Sequence, residues 1–116
     1  MRQQGYFGGQ SLQSLSHGQS LLTYFETRYK LKGLYLLDEP ETALSPRSQL
    51  KLSGILQAMG EQGHAQFIIA THSPILLACP SSQILSLDGE CIESVDYKDT
   101  DNFEIYYDFM LSKRSI

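Results

Sequence analysis

Two short runs of mostly apolar residues, each followed at once by polar side chains, limit the folds open to this chain more than any other feature. The first run, residues 34–37, leads into Asp38 and Glu39, and the second, residues 67–71, leads into His72. Runs of this length are too short for a helix and are typical of parallel strands buried on both faces. Because parallel strands end at one edge of a sheet, we expect the two acids and the imidazole to meet there.

Two serines, each followed by a proline, mark helix starts. Ser45 and Ser73 can cap a helix while the proline occupies its first position. The first pair predicts a helix between the strands that ends at Gly60 or Gly63, and the second pair predicts a shorter helix after the second strand. The expected apolar face of the longer helix is Leu50, Leu52, Ile55, Leu56 and Met59. Strand, helix and strand in this order predict the α/β class, with a partial parallel sheet and flanking helices.

The start of the chain predicts irregular structure followed by a helix. Residues 1–14 are rich in Gly, Gln and Ser. Ser16 can cap a helix while Gln19 reaches back to the cap, and Gly33 ends it. The expected buried stripe of this helix is Leu21, Leu22, Phe25 and Tyr29.

The end of the chain predicts a hairpin and a helix. Residues 84–87 and 91–95 are apolar-rich segments on either side of an Asp-Gly turn at 88–89, which is typical of an antiparallel β-hairpin. A last helix is expected to begin near Asp101, with Glu104 as its capping-box partner. Its apolar residues are expected to pack in the core rather than form a base-stacking platform: Phe103, Tyr106, Tyr107 and Met110.

Length and composition predict one domain over residues 1–116. Within it we expect the lead-in at 1–14, a core that carries the motifs at 15–80, and the hairpin with the terminal helix at 81–116. Hydrophobic residues make up 41% and charged residues 19% of the sequence, an ordinary globular balance.

Charge and hydropathy argue against several functional classes. The formal charge is −4 and no run of Lys and Arg alternates with aromatic residues, so direct nucleic-acid binding is not expected. No apolar stretch is long enough for a membrane span, and none follows Met1 as a signal peptide would. Cys79 and Cys91 lack the spacing of metal ligands, and two reduced thiols in a cytoplasmic protein are expected. His64, in a predicted loop, is expected on the solvated surface.

The residues after the two apolar runs fit phosphoryl-transfer chemistry. Adjacent carboxylates at the end of a buried strand are costly unless a cation or solvent offsets them. Mg²⁺ takes one or two carboxylates together with phosphate oxygens. Asp38 is therefore the candidate metal ligand, and Glu39 is the candidate general base for an attacking water. His72 is a candidate hydrogen-bond partner of a γ-phosphate or of that water.

Residues 15–19, Leu-Ser-His-Gly-Gln, form a further candidate phosphate site. Ser16 and Gly18 at a helix start would leave a hydroxyl and backbone N–H groups pointing outward with the helix dipole behind them.

In this order the segments resemble the motifs of the ATP-binding-cassette ATPases. Residues 15–19 are similar to the signature motif, and residues 34–39 are similar to Walker B with its catalytic glutamate. Residues 42–45 resemble the D-loop, and His72 resembles the switch histidine. The continuation through residues 84–100 resembles a bacterial group commonly labelled "AAA family ATPase", whose motifs are of the cassette type.

The resemblance implies ATP and Mg²⁺ as ligands and a partner across the ATP site, either a second copy or another nucleotide-binding domain. Ser16, His17, Gly18 and Gln19 would belong to the signature that contacts the partner's nucleotide. Ala43 and Ser45 would line the dimer contact. Glu39, His72 and the metal ligand Asp38 would act on the nucleotide of their own subunit.

The sequence departs from the cassette pattern at three places. His17 stands where many relatives have Gly, and Ser45-Pro46 replaces the usual D-loop aspartate. No Gly-x-x-x-x-Gly-Lys-Ser/Thr loop occurs in the 116 residues, and Gly5 to Gly9 contain no lysine. We therefore expect a C-terminal half-domain of a longer ATPase, inactive alone, whose incomplete sheet exposes an apolar edge and face.

Two other functions stay open at this point. The chain could be a non-enzymatic interaction or dimerisation module that keeps a cassette-like fold. It could also be a metal-dependent phosphoesterase using Asp38, Glu39 and His72, although the sequence supplies no further carboxylates for a two-metal site.

Overall fold

A computed structural model describes Thr23 and residues 26–114 of the chain. Residues 26–28 are helical. The elements that follow are β1 (Gly33–Asp38), a 3₁₀ helix (Pro40–Ala43), α1 (Pro46–Glu61), β2 (Ala65–Ala70), α2 (Pro74–Leu77), β3 (Ile84–Ser86), β4 (Glu93–Val95), a 3₁₀ helix (Tyr97–Asp99) and α3 (Asp101–Arg114). The predicted α/β order is thus confirmed for this part of the chain. The predicted helix opening at Ser16 lies outside the described residues.

β1 and β2 pair in parallel, with Gly33 opposite Ala65 and Asp38 opposite Ala70. The parallel pairing predicted from the two apolar runs is therefore confirmed. Because the register runs through the last residue of each strand, both strands end at the same edge. The residues after them leave the sheet side by side.

The two strands are covered on one face, and the prediction of burial on both faces was wrong for the described residues. The side chains that point towards α1 pack against the core cluster: Tyr35, Leu37, Phe67 and Ile69. Those on the opposite face are exposed, among them Leu34, Ile68 and Leu36, which is 71% exposed. α1 lies over one side of the sheet, and no described element lies over the other.

α1 begins as predicted. Ser45 Oγ accepts a hydrogen bond from Ser48 N at 3.2 Å, and Pro46 occupies the first helical position. The helix ends at Glu61, between the two glycines proposed as stops, and Gly63 takes a left-handed φ of 82°. Leu50 was wrongly placed on the apolar face, because it is 62% exposed. The buried cluster of the molecule is Tyr29, Leu44, Leu52, Leu56 and Leu76.

His64 is not a freely solvated side chain, in contrast to the prediction. It lies half-buried immediately before β2, and its Nε2 is 2.8 Å from Tyr29 O. Its carbonyl accepts from Gly33 N at 3.0 Å. The residue therefore ties the amino ends of the two strands to the segment before them, and Tyr29 beneath it packs edge-on against Tyr35 and Phe67.

β3 and β4 form the predicted antiparallel hairpin, but its strands are short. Ile84 pairs with Val95, and Ser86 pairs with Glu93. The connection spans residues 87–92 rather than a tight two-residue turn. The apolar side chains flanking the Asp-Gly pair are strongly exposed, so no packing extends the ladder towards that turn.

α3 begins at Asp101, but its cap differs from the prediction. Thr100 Oγ1 accepts from Phe103 N at 3.1 Å, which makes Thr100 the capping residue. The capping-box partner would then be three residues later, at Phe103, so Glu104 does not fill that position. The predicted core packing of this helix was also wrong. No residue of α3 is buried, and Tyr106, Tyr107 and Met110 are at least half exposed, whereas Phe103 is half-buried and packs edge-on against Tyr97.

Within the described part of the chain, every helix is too short or too polar to cross a lipid bilayer.

Candidate active site

The backbone at the end of β1 is fixed by the neighbouring strand. Asp38 is the last residue of β1, and Glu39 N donates to Ala70 O, the last carbonyl of β2, at 2.7 Å. The ladder is thereby extended by one hydrogen bond beyond the strand. By the alternation of side chains along β1, Asp38 lies on the exposed face of the sheet together with Leu34 and Leu36.

Glu39 adopts a backbone conformation that few residues other than glycine take, with φ 51° and ψ 55°. For an L-residue this left-handed conformation costs about 1–2 kcal/mol. Its carbonyl accepts from Thr42 N at 3.2 Å and from Thr42 Oγ1 at 2.8 Å, which closes the 3₁₀ turn after it. Strained residues of this kind concentrate at functional sites, where the surrounding structure holds them.

The side chains of Glu39 and His72 meet at this edge. Glu39 Oε2 lies 3.8 Å from His72 Nε2, and the side chains are 52% and 84% exposed, respectively. Both groups therefore contact each other and still reach solvent. A carboxylate so placed can accept a hydrogen bond from a water molecule, and an imidazole N–H can donate to that water or to a phosphate oxygen.

Glu41 connects the two loops, and the sequence reasoning missed it. Its Oε1 accepts from Thr71 Oγ1 at 2.6 Å, and its Oε2 accepts from His72 N at 3.2 Å. Thr71 and His72 lie 30 and 31 positions after Glu41 in the sequence, so no pattern of neighbouring residues predicts these hydrogen bonds. The sequence offered one signal for Glu41: it is the third carboxylate in the four residues that begin at Asp38.

Buried and half-buried hydrogen bonds of Ser73 fix the loop that carries His72. Ser73 Oγ accepts from Ile75 N and Leu76 N, each at 3.1 Å, and so caps α2 as predicted. The same hydroxyl donates to Gln49 Oε1 at 2.5 Å. The Ser73 cap is thus bonded to α1 as well as to its own helix.

Two residues of the C-terminal segment also hold this loop. Asn102 Nδ2 donates to His72 O at 2.8 Å, and Tyr97 OH donates to Pro74 O at 2.7 Å. Burial raises the pKa of the Tyr97 phenol. Neither residue was singled out from the sequence, because both act on a segment more than 20 residues away.

Asp38 fits the role of a metal ligand. No hydrogen bond or ion pair to its carboxylate is found among the described residues, and the strand edge leaves it exposed. The same residues contain no group of three or more His, Cys, Asp or Glu side chains able to hold a metal by themselves. One carboxylate with phosphate and water oxygens is an ordinary ligand set for Mg²⁺.

The other predicted site residues lie elsewhere. Ala43 ends the 3₁₀ helix and Ser45 caps α1, and both are exposed on either side of buried Leu44. The structure thus places them beyond the turn that carries Glu41, next to the site rather than within it. The candidate phosphate contacts lie outside the described residues: Ser16, His17, Gly18 and Gln19.

A family model described as "AAA domain, putative AbiEii toxin, Type IV TA system" matches residues 10–78. The matched span includes β1, α1, β2 and the loops that carry Glu39 and His72. No curated protein sequence gives a significant match. Since the family model covers more than half of the chain, the chain belongs to this family of P-loop NTPase-like AAA domains.

Proposed function

We propose that this chain supplies the hydrolytic edge of an ATPase site of the cassette type. The observation that carries the proposal is the approach of Glu39 and His72 to 3.8 Å at the carboxyl edge of two parallel strands. Open α/β sheets bind their ligands at this edge. Membership of a nucleotide-binding family makes ATP the fitting substrate.

Glu39 is proposed as the general base. A water beside its carboxylate would give up a proton to Glu39 while its oxygen attacks the γ-phosphorus. The bond to the bridging oxygen breaks as the new bond forms, and ADP and inorganic phosphate leave. The strained backbone of Glu39 and the hydrogen bond from its N–H to Ala70 O fix the position of the backbone from which the carboxylate extends.

His72 is proposed to bind the γ-phosphate or the attacking water through its ring. Its side chain is strongly exposed, so it can reach a ligand, while the backbone behind it is hydrogen-bonded on both sides. A donor held in this way stabilises the charge that develops on the phosphoryl oxygens.

Asp38 is proposed to hold Mg²⁺, which would neutralise phosphate charge when bound. The lysine loop that cradles the β- and γ-phosphates does not occur in this sequence. We propose that it comes from a segment outside these 116 residues and that the chain alone does not hydrolyse ATP. Ser16 and Gly18, with Ala43 and Ser45, are proposed to face a second nucleotide-binding domain, either a second copy or another chain.

Two histidines at opposite ends of β2 test this proposal. In a protein that contains this domain together with its phosphate-binding loop, His72→Ala should lower kcat for ATP by about 10²- to 10³-fold, as loss of one positioned donor does. His64→Ala is the matched control, since the hydrogen bonds of His64 to other described residues lie at the far end of the strands. The proposal fails if both variants hydrolyse ATP at the wild-type rate.

The exposed sheet face favours one second candidate, an interaction module. Leu34, Leu36 and Ile68 form an apolar surface on the side of the sheet that α1 does not cover. Such a surface is typical of contacts with another chain or copy. Leu36→Glu should lower the apparent molecular mass in light scattering if copies pair there, whereas Leu50→Glu, on exposed α1 surface, should not. Equal masses for both variants and the wild type would exclude pairing through this face.

A further inference from the structure

Glu41 is the one described carboxylate whose two oxygens bind two different donors of the opposite loop. Oε1 accepts from the hydroxyl of Thr71, and Oε2 accepts from the backbone N–H of His72. Glu41 itself lies in the first turn of the 3₁₀ helix, two residues after Glu39. The carboxylate thus joins the turn that carries the proposed base to the loop that carries the proposed histidine.

We propose that Glu41 is a positioning residue that sets the distance between Glu39 and His72. Its catalytic consequence rests on the function proposed above, but the positioning itself does not. A carboxylate that accepts two hydrogen bonds fixes direction as well as distance, and charge-assisted bonds are roughly twice as strong as neutral ones. Because Glu41 is half-buried, solvent competes less for these bonds than at an open surface.

The contacts around Thr71 and His72 show how this constraint reaches the imidazole. Thr71 Oγ1 donates to Glu41 and also accepts from Ser73 N at 3.0 Å, so it links the carboxylate to the cap of α2. The N–H of His72 is bound by Glu41 and its C=O by Asn102. Both polar backbone groups of His72 are therefore occupied, and its ring is left to face Glu39.

Loss of the carboxylate charge should release this constraint. In Glu41→Gln, the amide oxygen replaces only one of the two carboxylate oxygens, the NH₂ group takes the place of the other, and no remaining hydrogen bond is strengthened by a negative charge. In Thr71→Val the hydroxyl that donates to Glu41 is lost at nearly constant shape, whereas Thr71→Ser keeps it. The serine variant is therefore the matched control, and it should behave like the wild type.

The test is solution NMR of the complete 116-residue chain without nucleotide. Two signals are measured: the nuclear Overhauser contact between the His72 ring and the Glu39 side chain, and the chemical shift of the His72 amide proton. We expect Glu41→Gln to lose the first signal and to shift the second upfield, and Thr71→Val to lose the first, while Thr71→Ser retains both. The amide signals of the β3–β4 hairpin serve as the reference for an intact fold.

Retention of the ring contact in Thr71→Val, with the hairpin signals unchanged, overturns the proposal. If Glu41→Gln fails to fold, the Thr71 pair decides by itself, since both variants keep the carboxylate. The result is also independent of ATP. Normal ATP turnover in His72→Ala would contradict the proposed function but not the positioning by Glu41. An unaltered contact between the His72 ring and Glu39 in Thr71→Val would contradict the positioning alone.

Discussion

Glu39 combines a carboxylate that lies beside the His72 imidazole with a backbone conformation that suits glycine better than glutamate. Its φ of 51° is one of two positive values at described residues other than glycine, the other being at Ser81. The 3₁₀ turn after β1 imposes this geometry, since Thr42 binds the Glu39 carbonyl and Glu39 N binds β2. The backbone alone would favour glycine here, so the presence of glutamate supports the role proposed for its carboxylate.

The strain at Glu39 is measurable by a pair of substitutions. Glu39→Gly and Glu39→Ala both remove the carboxylate, but only glycine accepts the left-handed conformation freely. The free energy of unfolding of Glu39→Gly should exceed that of Glu39→Ala by about 1 kcal/mol. Gly54 in α1 is the control, because a Cβ there meets nothing within 4 Å and alanine should be the more stable residue by about 1 kcal/mol. An alanine variant at position 39 as stable as the glycine variant would show that the turn is not strained.

Leu52 is the most completely buried side chain of the described core. It is 0% exposed and lies on the face of α1 that meets the sheet, while Leu50, two residues earlier, is 62% exposed. Leu52→Ala should lower the free energy of unfolding by about 2–5 kcal/mol, because it opens a cavity in the cluster. Leu50→Ala should change it by no more than about 0.5 kcal/mol. Urea titrations of both variants check this, and similar losses would place the two side chains in equivalent environments.

At the scale of elements, the site lies where three segments meet. The turn after β1 supplies Glu39 and Glu41, the loop after β2 supplies His72, and the segment before α3 holds that loop through Tyr97 and Asn102. The C-terminal part of the chain thus supports the site, although it does not enter it.

Tyr97 provides a pH-dependent test of this support. Burial raises its pKa above 10.0, so between pH 10.0 and the raised pKa the unfolded chain loses the phenol proton while the folded chain keeps it. The stability contributed by Tyr97 is therefore full below pH 10.0 and is lost as the pH rises through the raised pKa. Tyr97→Phe should be less stable than the wild type by about 1 kcal/mol at pH 7, where the bond to Pro74 O is lost.

This difference between Tyr97→Phe and the wild type should shrink above pH 10.0, because ionisation of Tyr97 weakens the wild type alone. Thermal unfolding of both proteins across this pH range gives the comparison, and the remaining tyrosines contribute equally to each. A difference that stays constant or grows at high pH would mean that the phenol is not buried.

The sequence was sufficient for features encoded by neighbouring residues. The ends of β1 and β2, the serine caps of α1 and α2 and the hairpin all follow from short patterns, and the structure has each of them. Glu41, Asn102 and Tyr97 could not be found in this way, since each bonds to a segment more than 20 residues distant.

The errors about the burial of hydrophobic side chains have one physical origin. Hydrophobic side chains were expected to be buried wherever they recur at helical or strand spacing. Over most of α3 and on the open face of the β1–β2 sheet they are exposed instead, because no described element covers those side chains. Periodicity reports which face is apolar, but it does not report what covers that face.

At the scale of the whole molecule, the described residues form one covered layer and one open surface. α1 and the core cluster cover one face of the parallel strands, and Leu34, Leu36 and Ile68 remain exposed on the other. The proposed hydrolytic residues lie along the carboxyl edge between these two faces. This edge is therefore accessible to the nucleotide and to the second segment that the proposed function requires.

The fate of bound ATP in Glu39→Gln tests the central claim most directly. In a protein that contains this domain with its phosphate-binding loop, single-turnover phosphate release should fall at least about 100-fold, as expected for loss of a general base, while ATP stays bound. Glu90→Gln, at an exposed position in the hairpin connection, should release phosphate at the wild-type rate. Conversion of bound ATP to ADP by Glu39→Gln at the wild-type rate would contradict the account.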